Sequence, residues 1–172
     1  MKKRFFVFIL LLSIFFILGN CNSTPKDSSN TLKITEVDKK IIQEYLETKT
    51  NNISAPYNGG KMYSAFKILG TDNNKIYVWM LKHEYLKQTN ELTGGVSIPL
   101  VLYVKTKGNN IEIKKHKYPK EGEEYGRSLT KLFPENVREE MNSNPNELAH
   151  QLQEIINNRV KEDIGEMMYE GK

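Results

Sequence analysis

The chain has 172 residues, with 25 Lys+Arg against 21 Asp+Glu, three histidines and a single cysteine, Cys21. Three of the bases sit in the first four residues; without them 22 bases face 21 acids, so the overall basicity gives no reason to expect a nucleic-acid partner. One cysteine excludes an internal disulfide and a thiolate metal cluster, and the roughly 150 residues after it suffice for one domain with its own core.

Lys2, Lys3 and Arg4 form a basic head, and Phe5–Leu18 is then apolar at every position except Ser13. Those fourteen residues fall short of the roughly 20 needed to span a bilayer and match the apolar core of a cleaved secretory signal. Leu18-Gly19-Asn20-Cys21 closes the segment as a lipobox would, although Asn20 stands where a smaller residue is usual. The expectation is a signal over residues 1–20 and a diacylglyceryl group on Cys21. Two or three acyl chains, at about 0.8 kcal/mol per buried methylene, then hold the protein permanently on the outer side of a cell membrane. An uncleaved N-terminal anchor is the alternative, with the same address.

Residues 21–33 are polar and rich in Ser, Thr, Pro and Asn, and read as the lipidated cysteine and a flexible tether. Residues 34–165 form the expected domain, and 166–172 an expected frayed tail. Thr35 and Asp38 have capping-box spacing, and Val37, Ile41, Ile42, Tyr45 and Leu46 recur at helical spacing, which predicts a helix over 36–49. Asn51–Gly60 reads as a loop.

From Lys61 the period changes to two. Strands are predicted over 62–69 and 75–87, a third from Val96 to Lys105, and a fourth around Ile111 and Ile113, joined as an antiparallel meander. The second strand is apolar on both faces, as a central strand covered on both sides would be. Pro99 cannot donate a ladder bond, so its end of the third strand should lie at an edge. Short helices are predicted around Tyr125–Phe133 and Val137–Met141, and Asn144-Pro145-Asn146-Glu147 starts a last helix carrying Leu148, Leu152, Ile155, Ile156, Val160 and Ile164. The expected fold class is therefore α+β: an N-terminal helix, a four-stranded antiparallel β-meander, and two or three C-terminal helices packed on the sheet.

Chemistry-bearing constellations are sparse. His83, His116 and His150 have no spacing that suits a metal, and no phosphate loop, serine elbow or close carboxylate pair stands out. No cofactor or metal is expected, and the sequence leans away from an enzyme. Two patches are candidates for binding. The aromatic row Tyr77, Trp79, His83 and Tyr85 could line a ligand surface, unless helices cover that face of the sheet. Lys105, Lys107, Lys114, Lys115 and Lys117 could meet anionic wall polymer or lipid headgroups, unless they only guard an edge strand against pairing.

The segment from Tyr118-Pro119-Lys120-Glu121-Gly122-Glu123-Glu124-Tyr125 to Leu132-Phe133-Pro134, with Phe66–Thr71 and Tyr77-Val78-Trp79 before it, resembles uncharacterised exported lipoproteins of Bacillus and related Firmicutes. The resemblance spans roughly residues 35–160. It implies an envelope address and this fold, and carries no catalytic residue. The functional expectation is a non-enzymatic binding or accessory module acting on an envelope protein, with a small-ligand or wall-polymer binder as the alternative.

Overall fold

The computed structural model describes residues 32–57 and 59–170, with side chains described as far as Asp163. The expected signal, Cys21 and most of the expected tether lie outside the described residues. The domain is α+β. Helix α1 (Glu36–Thr48) leads into strands β1 (Lys61–Asp72), β2 (Lys75–Tyr85), β3 (Leu92–Lys107) and β4 (Asn110–Lys117). A 3₁₀ turn (Gly122–Glu124) and helices α2 (Tyr125–Leu132), α3 (Glu135–Ser143) and α4 (Pro145–Glu170) follow. The strands form one antiparallel sheet in the order β1-β2-β3-β4.

Alternation along β2 sorts the core into two layers. Ile76, Val78 and Met80 face α1, where they meet Ile42 and Leu46 with Leu100, Leu102, Val104 and Ile111. Tyr77 and Leu81 face the C-terminal helices, and two clusters form there. One joins Leu81, Tyr63 and Ala65 to Leu148, Leu152, Ile156 and Val160 of α4. The other joins Tyr77, Leu69 and Val101 to Phe133, Val137 and Met141. The helices thus cover the sheet on both faces, which is why β2 reads as apolar at nearly every position.

The inward stripe of α1 differs from the expected one at its first position. Val37 is 51% exposed, whereas Asp38 is 1% exposed and falls in line with Ile42 and Leu46. Asp38 closes the capping box with Thr35, and its second oxygen accepts from the Ile111 N–H of β4 at 2.8 Å. A carboxylate satisfied by three donors can occupy a core position.

β3 begins at Leu92, four residues before the expected start, because Gly94 and Gly95 pair with Glu84 and His83. A Cβ on Gly95 would sit 2.2 Å from His83 Cδ2, so the residue that reads as a turn is the one that lets the strands meet over the imidazole. β4 pairs only from Val101 onward, which leaves Pro99 where β3 has a single neighbour, as expected. Gly122, at φ +63, makes the strand-to-helix corner. Helix α4 continues past Gly165 to Glu170, because one glycine costs a helix only about 1 kcal/mol.

Candidate functional site

The aromatic row shares one face of β2 but not one opening. Tyr77 is 2% exposed and packs on Phe133, with ring centroids 5.8 Å apart. Trp79 is half-buried between the two C-terminal clusters and donates from Nε1 to Ser97 Oγ at 2.8 Å. His83 lies over Gly95 with Nδ1 buried and without a partner among the described residues, and burial pushes its pKa down. Tyr85 packs edge-on against Tyr63, ring centroids 5.9 Å apart. The helices cover much of this face.

The lysines are brought together. Cross-strand register puts Lys115 beside Tyr103, Lys117 beside Val101 and Lys105 beside Glu112, with Lys107 at the turn. That face of β3–β4 points away from α1. Lys115 Nζ and Lys117 Nζ lie 5.0 and 5.9 Å from the Tyr103 ring centroid. Lys114, at the bulge, bonds Glu112 at 2.5 Å. That bond, with Lys107 and Lys105 nearby, holds the exposed Glu112 carboxyl below its usual range.

The densest polar constellation escapes the sequence reading. It lies along the outer edge of β1, between α1 and α4. Glu47 of α1 accepts from the Ser64 N–H at 2.9 Å and from Gln43 Nε2 at 2.8 Å. Gln43 also donates to the Ser64 carbonyl at 2.7 Å. From α4, Arg159 Nη1 donates to the same carbonyl at 2.9 Å and to Glu47, while Nη2 reaches the other Glu47 oxygen. One turn on, Asp163 takes the Tyr63 hydroxyl at 2.6 Å and the Lys61 ammonium. Burial and this bond to Asp163 push the Tyr63 phenol well up; Asp163 itself, raised by burial, is pulled lower by Lys61 and Tyr63.

These bonds close the edge of β1 at Ser64, whose N–H and C=O point outward. Two residues on, the same alternation turns the N–H and C=O of Phe66 outward, and no side chain of the described residues bonds to them. There the two helices stand apart over a groove of about 500 Å³. Phe66, Ala65 and the 44%-exposed Ile155 supply its apolar lining, with Lys40, Glu44 and Arg159 among its polar residues.

A second buried polar group lies on the α1 face. Lys82 is fully buried, and its ammonium donates to Thr50 Oγ1 at 3.1 Å and Asn51 Oδ1 at 3.4 Å. Burial, partly offset by the Glu47 carboxylate, pushes its pKa down to about 8. Asn52 Oδ1 meets His116 Nε2 at 3.1 Å, and Gly60 N–H donates to Glu84 at 2.9 Å. Three sheet side chains therefore hold the connection between α1 and β1 at Thr50–Asn52 and at Gly60.

Among the described residues, no group of three or more His, Cys, Asp and Glu is placed to hold a metal ion, and no helix is long and apolar enough to cross a membrane. No family model, curated protein or solved structure matches the chain.

Proposed function

We propose that this protein is a bacterial lipoprotein, anchored through Cys21 on the outer side of the cell membrane, whose domain is a non-enzymatic docking module. Its partner is an envelope protein that lays an extended segment into the β1-edge groove. One observation carries the reading: the sheet edge is clasped at Ser64 by two helices and left open at Phe66, inside the groove those helices form. An open N–H and C=O in an apolar cleft are matched by the backbone of another strand, with side-chain pockets adding selectivity. The address is supported by the basic head, the fourteen-residue apolar run and the cysteine that ends it.

The test is a photo-crosslinking amino acid at Ile155, on the groove, with Leu92 at the far end of β3 as control, in the intact membrane-bound protein. The expected result is a discrete adduct from Ile155 alone, mapping to one segment of one envelope protein. A synthetic peptide of that segment should slow amide exchange at Phe66. Equal adducts from both positions, or a peptide that leaves Phe66 unprotected, would overturn the reading.

A further inference from the structure

We infer that the lysine face of the β3–β4 hairpin rests on anionic lipid headgroups and sets the orientation of the domain on the membrane. The inference assumes acylation of Cys21, as proposed above.

Its first support is where the chain enters. Leu32, the first described residue, has its carbonyl beside Thr71 Oγ1 (3.4 Å), next to the β1–β2 turn. That turn is tied to the β3–β4 hairpin, because Val104 N–H donates to the Asn74 carbonyl at 2.8 Å. The turn of residues 107–110 therefore lies at the same end of the sheet as the entering chain. Leu32 is eleven residues after Cys21, which caps its distance from the acylated residue at about 40 Å, however the intervening chain runs.

The second support is the charge on that hairpin. Lys105, Lys107, Lys114, Lys115 and Lys117 share it with one carboxylate, Glu112. Edge protection does not account for the arrangement. β4 is an edge strand, but Lys105 and Lys107 belong to β3, which is an inner strand where it pairs with β4. A lysine near an anionic bilayer surface contributes about 1 kcal/mol, and several on one face add up to an orienting force that salt weakens. Wall polymer offers similar phosphate chemistry. The position of the chain entry favours the lipid surface.

The experiment uses the full lipoprotein, reconstituted in phosphatidylcholine vesicles with and without phosphatidylglycerol, and reads amide exchange at Asn73–Asn74 and Gly108–Asn109. The expected result is exchange slowed about fivefold or more at both turns with phosphatidylglycerol only. The protection should vanish at high salt and in a Lys105→Glu, Lys107→Glu variant that still associates with vesicles. Protein that associates with both vesicle types while both turns exchange alike would overturn the orientation and leave the anchor intact. Protection produced in neutral vesicles by soluble poly(glycerol phosphate), and absent with phosphatidylglycerol, would overturn the lipid assignment in favour of wall polymer. Failure to associate with neutral vesicles would instead overturn the acylation on which the inference rests.

Discussion

Arg159 of α4 and Glu47 of α1 meet across the open edge of β1, the guanidinium spanning both carboxylate oxygens and also reaching the Ser64 carbonyl. The contact joins the layers on opposite faces of the sheet and closes the edge where they meet. Each group is at least two-thirds buried, so losing either partner leaves the other a part-buried charge that keeps its bonds at Ser64 but loses the opposite charge beside it. Arg159→Ala and Glu47→Ala should each cost about 1–3 kcal/mol in urea unfolding. The double variant should lose clearly less than the sum, giving a coupling of at least about 0.5 kcal/mol. Strict additivity would show that the pair does not act as a unit.

Asp38 links the start of α1 to β4. Burial raises its pKa, but the donors from Thr35 and Ile111 outweigh burial and hold it below the usual value. A depressed carboxyl stabilises the fold above its unfolded pKa, and that contribution is lost as pH falls through the folded value. Asp38→Ala should cost about 2–3 kcal/mol at neutral pH. Asp38→Asn, which keeps one acceptor, should cost less and should flatten the acid limb of stability against pH.

Lys82 works against the fold while it is charged. Its folded pKa is about 8, below the ordinary 10.5 of an unfolded lysine. The penalty is present in full below about 8 and is relieved as pH rises from there toward 10.5, because the unfolded chain then binds more protons. Lys82→Met should therefore stabilise the protein at neutral pH by about 1–3 kcal/mol, with the advantage shrinking above pH 8. A variant less stable at neutral pH would show that the contacts to Thr50 and Asn51 outweigh desolvation.

Burial biases His116 toward its neutral form. Asn52 Oδ1 can only accept, so Nε2 donates to it, and in the neutral ring Nδ1 takes the Tyr45 hydroxyl at 3.0 Å. Burial, with Lys82 nearby, pushes its pKa below 6.5. Stability should fall as pH drops below 6.5, where the unfolded ring protonates first. His116→Gln should remove part of that slope, measured as urea midpoints across pH 5–7.

Gly95 tests the strand that the sequence hides. A Cβ there would meet His83 Cδ2 at 2.2 Å and the Lys82 carbonyl at 2.8 Å. Gly95→Ala should cost about 2 kcal/mol or more, and adding His83→Ala should recover only part, since the carbonyl remains. A neutral Gly95→Ala would mean that β2 and β3 are not in close register here.

The order and type of the elements were legible because α1 and β3 have a clean period and β2 is a short apolar run bounded by turn residues. The cap at Thr35, Pro145 at the first position of α4, and the turns at Asn73 and Gly108 mark most ends. Three boundaries were not legible. β1 runs past Leu69 to Asp72 because a bulge between Ile68 and Gly70 keeps Thr71 and Asp72 paired. Gly94 and Gly95 look like a loop when the partner ring is unseen, and Gly165 looks like a stop when it is merely a weak helix residue. The β1-edge site was invisible for a different reason. Gln43, Glu47 and Arg159 each read as ordinary solvent-facing helix residues, and only the stacking of α1 and α4 on opposite faces of the sheet brings them to Ser64. Lys82 continues the buried side of Ile76, Val78 and Met80, a position at which charge alone argues for solvent.

The intact mass of the protein extracted from its membrane most directly tests the proposal as a whole, since both the docking reading and the orientation on lipid begin at Cys21. The expected result is a mature chain without residues 1–20, carrying a diacylglyceryl group on Cys21, and loss of that mass in Cys21→Ala. A chain that keeps Met1 and an unmodified Cys21 would contradict it.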